Sequence, residues 1–129
     1  MAISKSRPLS PHLSVYRWYL TMALSIAHRA TGVALSAGLV IIAWWLLALA
    51  GGAGSYDLVQ TVMHSILGQI VLFLWTFVLF FHAANGLRHL FWDVGYGFDK
   101  TVAHKSGIAV IAAATGLTIL VWLISFIVA

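Results

Sequence analysis

Cysteine is absent from all 129 residues, which removes disulfides, thiolate-held iron–sulfur clusters and covalent c-type haem in one step. Any redox centre must be held by other ligands. Charge is almost as scarce: 8% of the residues are charged and only three are acidic, against 62% hydrophobic and a mean hydropathy of +1.00. No water-soluble fold of this length needs so much apolar surface. The two prolines, Pro8 and Pro11, bar a continuous helix through the first 19 residues, which are polar and aromatic and belong at or outside a membrane surface.

What is present is three apolar stretches, each near the roughly 20 residues that cross a bilayer. They predict one all-α membrane domain over residues 1–129, with transmembrane helices at about 20–50, 66–90 and 107–128 in an up-down-up arrangement. The first holds no charge from Ala30 to Ala50, about 31 Å of helix at 1.5 Å per residue, and that alone crosses the hydrocarbon. Tyr16, Trp18 and Tyr19 mark the interface before it, and Gly51-Gly52-Ala53-Gly54 ends it. The link that follows has room for a short surface helix. The third stretch has no ionisable side chain, and its Ala112-Ala113-Ala114-Thr115-Gly116 run is small enough for close helix approach.

Seven Lys and Arg give a net charge of +4, but their placement points to lipid and not to nucleic acid. Lys5, Arg7, Arg17, Arg29, Arg88, Lys100 and Lys105 lie before or at the start of the first span, or around the link between the second and third; the link 51–64 carries none. The positive-inside rule then puts the N-terminus and the second link on the cytoplasmic or matrix side. The opening residues carry neither the apolar core of a signal peptide nor the length of an Arg-rich transit peptide, which favours a bacterial cytoplasmic membrane, with the mitochondrial inner membrane as the alternative.

An ionisable group within a span costs roughly 2.5–3.5 kcal/mol at mid-depth for Arg, so it usually has a function. Ser25, His28, Arg29 and Gly32 fall at i, i+3, i+4 and i+7, one stripe of the first span; His82, Gly86 and His89 fall at i, i+4 and i+7, one stripe of the second. Because the two helices run oppositely, both stripes approach the inner surface and can build one site. His82 lies about 10 Å deeper than His89. Its imidazole suits haem iron, and it equally suits a hydrogen bond to a neighbouring helix. Gly86 leaves room for a flat macrocycle or a helix. Read singly, Arg29 and Arg88 are interface snorkellers, Ser25 is a hydroxyl bonded back to its own helix, and Asp93 is a loop charge facing Arg88 or Lys100. His12, His64 and His104 are surface residues.

Three strings decide among these readings: Arg7-Pro8-Leu9-Ser10-Pro11-His12-Leu13-Ser14-Val15-Tyr16, Ser25-Ile26-Ala27-His28-Arg29-Ala30-Thr31-Gly32, and His82-Ala83-Ala84-Asn85-Gly86-Leu87-Arg88-His89-Leu90-Phe91-Trp92-Asp93. Together they occupy about a quarter of the chain and resemble the signatures of the succinate dehydrogenase cytochrome b556 subunit family. The resemblance implies that His82 is an axial ligand of haem b, the second ligand coming from a second membrane anchor subunit. It implies that Ser25 and Arg29 line a ubiquinone pocket, that His28 and Arg29 approach the haem propionates, and that Asp93 lies near the quinone's proton supply. His89 is a secondary haem-site candidate, and the Arg-Pro-Leu-Ser-Pro stretch is expected to touch an iron–sulfur subunit that a flavoprotein subunit feeds. No complete active site is expected on this chain alone.

Rival readings are a diheme anchor of a fumarate reductase or related quinone oxidoreductase, a small transporter using His28, Arg29 and His82 as a relay, and a cofactor-free structural anchor. The first needs four axial ligands, more than the buried histidines supply. The second needs polar residues across the whole bilayer, and here they stop in the inner half.

Overall fold

The structure, a computed structural model, describes residues 16–128, so the N-terminal Arg-Pro-Leu-Ser-Pro stretch and His12 lie outside the described residues. Four helices follow one another: α1 (Leu20–Ala50), α2 (Ala53–His64), α3 (Ile66–Asp93) and α4 (Lys100–Val128). α1, α3 and α4, of 31, 28 and 29 residues, are long and apolar enough to cross a membrane, and α2 is the short helix between the first two. Among the described residues there is no strand.

Each boundary has a local cause. α1 begins after Tyr19, whose backbone is extended, and stops at Gly51; Gly52 then takes φ +92°, a left-handed value that glycine adopts at no steric cost and that turns the chain into α2. Ser65 caps α3, its Oγ accepting from the Gly68 amide at 3.1 Å. A side chain at Gly68 would run into the Val62 and Met63 carbonyls, so the tight α2–α3 corner depends on that glycine. Gly95 and Gly97, at φ +89° and +85°, reverse the chain between α3 and α4, and the Trp92 indole N–H fastens the link by donating to the Gly97 carbonyl at 3.1 Å. α3 runs to Asp93 and α4 starts at Lys100, beyond the apolar stretches at 66–90 and 107–128. Helical hydrogen bonding continues past the hydrocarbon edge, and α3 holds the extra polar turn of α4 in place through Ala103 and Ser106.

The contacts fix the topology. Leu24 meets Asn85, His28 meets His82, and Gly38 meets Trp75, so α1 and α3 are antiparallel. α4 reverses again along α3, from Arg88 against Ser106 to Thr76 against Trp122. α1 and α4 therefore start at the same end, where Leu24 fills the notch left by Gly107.

The interior is thin. Leu24, Phe81, Val110 and Ala114 form its apolar centre, while Trp44, Trp45, Phe73, Leu123, Ile124, Phe126 and many other large apolar side chains face outward. The buried set also contains Asn85, Arg88 and Thr118. That inversion suits lipid: hydrocarbon solvates Leu as well as protein does, so helices associate through close packing and hydrogen bonds rather than by hiding apolar area.

Candidate functional site: a histidine cluster between two helices

α1 and α3 bring the two stripes together. The His28 and His82 rings stack with centroids 4.0 Å apart and planes 9° from parallel, and His89 approaches His28 at 5.1 Å. Trp92 closes the row edge-on against His89. Each stripe's glycine receives the other helix's imidazole. A Cβ at Gly32 would lie 3.1 Å from His82 Cε1, and one at Gly86 would lie 3.7 Å from His28 Cε1. Of the two neighbours expected at Gly86, a flat macrocycle or an adjacent helix, the α1 side chain His28 lies within van der Waals reach.

His82 is held on one nitrogen. Its Nδ1 lies 3.0 Å from Thr31 Oγ1 and 3.1 Å from the His28 carbonyl, and the Thr31 hydroxyl itself donates to that carbonyl at 2.9 Å. An unprotonated Nδ1 would face the carbonyl lone pair, whereas a protonated one satisfies both oxygens. These contacts favour the tautomer with the proton on Nδ1, which puts the ring's lone pair on Nε2.

The same arrangement recurs at Arg88, about 1.7 turns further along α3. Arg88 Nε donates to Ser106 Oγ at 2.9 Å, Arg88 Nη2 donates to the Ala103 carbonyl at 2.8 Å, and the Ser106 hydroxyl donates to that carbonyl at 3.1 Å. Arginine has only donors, so the direction there admits no second choice. Arg88 also donates to Asn85 Oδ1 and lies 4.0 Å from the Trp92 ring centroid. At 6% exposure it is no snorkeller, contrary to the expectation from sequence, and its N–H groups go to Asn85, Ala103 and Ser106 rather than to Asp93. The reason is the second polar stripe of α3, in which Arg88 turns toward α4 and Asn85 lies between it and α1, while His82 and His89 turn toward α1. We expect Arg88→Leu to weaken the α3–α4 contact by about 1–3 kcal/mol, the two hydrogen bonds that cross it being worth about 0.6 kcal/mol on average and about 1.7 at most in membrane interiors. A lower unfolding temperature in detergent checks this; an unchanged Tm would mean the bonds contribute nothing net.

Other expected residues are placed less centrally. Ser25 is half-buried one turn before His28, Arg29 is exposed, and Asp93 is exposed at the end of α3. The helix-bonded hydroxyls of the spans are Thr31, Ser36, Thr76, Ser106, Thr115 and Thr118, and among the described residues Ser25 is not one of them. His64 and His104 are exposed. Cavities of about 520 Å³ beside Arg88 and beside Lys100 do not reach Ser25, Arg29 or His82. Sequence reasoning passed over Thr31, Asn85 and Ser106; the signal available for Thr31 was its place three residues after His28.

No three His, Asp or Glu side chains among the described residues converge to hold a bare metal ion. The geometry instead suits a group that needs one ligand from this chain. His28 Nδ1 is buried and has no hydrogen-bond partner among the described residues, which leaves a polar atom unsatisfied at the same cluster.

Three helices long and apolar enough to cross a membrane, with His28, His82, His89 and Arg88 gathered between them toward one end, define a multi-pass membrane protein. The family model described as succinate dehydrogenase/fumarate reductase transmembrane subunit matches residues 3–121. The chain belongs to that family and is a membrane-anchor subunit of succinate dehydrogenase. It is 45% identical over 95% of its length to the succinate dehydrogenase cytochrome b556 subunit of Paracoccus denitrificans, covering 94% of that protein. The cytochrome b556 subunit of Rickettsia felis is 41% identical over 93% of this chain and 94% of its own. The mitochondrial cytochrome b560 subunit of Bos taurus is 43% identical over 82% of this chain and 64% of its own.

Proposed function

We propose that this chain supplies half of a haem b site and part of a ubiquinone-reduction site, with its N-terminal end at the cytoplasmic or matrix surface, in a complex with a second anchor subunit, an iron–sulfur subunit and a flavoprotein subunit. The observation that carries this reading is His82: its Nδ1 lies at hydrogen-bond distance from Thr31 and the His28 carbonyl, which leaves Nε2 as the nitrogen for iron. Ligand histidines characteristically donate their other N–H in this way. Bound there, haem b supplies a one-electron redox centre inside the membrane. The relatives' cytochrome b names support the choice of group.

The other residues follow from their places. Arg29, and His28 through its unpartnered Nδ1, offer donors to propionates, with His89 behind them. Ser25 and Arg29 present a hydroxyl and a fixed positive charge to the quinone's carbonyl oxygen, where negative charge builds as electrons arrive before protons do. Asp93, exposed at the same end, stands where protons enter. Electrons reach the quinone from the iron–sulfur subunit.

The test is a reduced-minus-oxidised spectrum of the gently solubilised complex purified through this chain. A b-type α-band is expected in wild type and its loss in His82→Ala, with flavin co-purifying in both. An intact, flavin-bearing wild-type complex without the band would refute the haem reading.

A further inference from the structure

We propose that Thr31 is a positioning residue for His82: its hydroxyl fixes the orientation and electron richness of the imidazole that meets the iron. This rests on His82 being the haem ligand. The hydroxyls of Ser36, Thr76, Thr115 and Thr118 bond to the carbonyl four residues back along their own helices, the ordinary habit of a hydroxyl inside a span. Thr31 bonds three residues back, to His28, and Ser106 three back, to Ala103. These two, and not the other four, each hold an ionisable side chain of α3. In both, the hydroxyl and the carbonyl it bonds receive N–H groups from one side chain, His82 or Arg88. The choice of the nearer carbonyl swings the oxygen toward α3, and its hydrogen, committed to the carbonyl, leaves a lone pair facing the α3 donor. Arg88 shows the device working with a group that can only donate. At His82 it therefore acts as an acceptor, drawing on the Nδ1 proton.

A stronger acceptor at Nδ1 makes Nε2 a more basic ligand, which favours the ferric over the ferrous state. Removing it should raise the haem midpoint potential. Outer partners of this kind are worth roughly 10–100-fold in metal affinity, and a tenfold loss felt by the ferric form alone corresponds to about 59 mV for one electron.

The experiment compares Thr31→Val, Thr31→Ser and wild type in the assembled complex. Valine keeps the β-branched shape and deletes the hydroxyl; serine keeps the hydroxyl. Expected are a raised midpoint and a shifted largest g value of the ferric spectrum in Thr31→Val, since that value reports the ligand-plane angle, with Thr31→Ser close to wild type. A Thr31→Val complex with normal haem-to-flavin ratio, midpoint and g values would overturn the proposal, because a merely structural hydroxyl would leave all three unmoved. Should valine block assembly, Thr31→Ala is smaller and is read the same way. Should both fail, Thr31→Cys decides: its thiol is a weaker acceptor, so a midpoint raised above wild type supports the proposal and an unmoved midpoint overturns it. Haem retained at wild-type midpoint in His82→Ala would instead refute the ligand assignment itself, a result distinct from any of these.

Discussion

Replacing Arg29 with alanine should lower succinate-dependent quinone reduction by about 10²-fold or more, while succinate oxidation by a soluble acceptor continues at the wild-type rate. The magnitude is that of removing one preorganised donor from a developing oxyanion, about 3–4 kcal/mol of the barrier. Arg29 is exposed, on the stripe shared with Ser25 and His28 at the end of the bundle where α1 begins. Exposure is also what a snorkelling arginine would show, so the alanine variant alone does not separate the two roles. Lysine does. A snorkeller needs only a cation on a flexible stem, which lysine supplies, whereas orienting a carbonyl oxygen uses a planar fork of fixed N–H directions that lysine lacks. Arg29→Lys is therefore expected to keep the wild-type complex yield without recovering most of the quinone activity. Full activity in Arg29→Lys would return the residue to the interface, and loss of both activities in Arg29→Ala would point to failed assembly.

The contrast between Arg29 and Arg88 shows what the sequence can and cannot disclose. Helix count and span positions were legible because lipid imposes one simple demand, a run of apolar residues about 30 Å long. The convergence of His28, His82 and His89 was also legible, since two stripes on antiparallel neighbours with facing glycines meet at one end. Which arginine goes inside was not. Both sit near a span end beside a histidine, and a single-helix reading gives both the same snorkelling answer. The difference lies on α4, where Ser106 and the Ala103 carbonyl offer acceptors; those residues are polar or small and carry no mark of their partner. The polar start of α4 was likewise hidden, because Lys100–Ser106 is held helical by α3 and not by its own hydropathy. Thr31 went unnoticed for a related reason: a threonine in a span is usually bonded to its own helix, and only the three-residue reach toward His82 sets it apart.

The hairpin on which this site stands should fail when Gly38 is enlarged. Gly38 is buried, and a Cβ there would fall within the indole of Trp75, against Cζ2, Cε2 and Nε1. These are atoms in the body of a rigid bicycle and not the tip of a flexible chain, so the overlap is relieved only by moving the ring or separating α1 from α3. The ring has somewhere to go: cavities of about 350 and 290 Å³ are lined by Trp75, and its Nε1 is buried without a partner among the described residues, so no hydrogen bond to them is lost on moving. Overpacking of a tight interior typically costs about 1–3 kcal/mol. In a bundle joined by contact rather than by burial of apolar area, that is a large share of what holds α1 to α3. We expect Gly38→Val to lower the yield of assembled complex by about tenfold, equivalent to about 1.4 kcal/mol, measured as flavin retained in the membrane fraction. Gly107→Ala is the control. The obstacle there is Leu24 Cδ1 at 2.6 Å, the far end of a flexible side chain, which can rotate away at small cost. If Gly38→Val assembled as well as Gly107→Ala while tryptophan emission shifted, the ring would have swung into a cavity and the α1–α3 contact would be more yielding than its geometry indicates. Loss of assembly confined to Gly38→Val would establish that the approach of these two helices, and with it the stacking of His28 on His82, depends on a residue with no side chain facing Trp75.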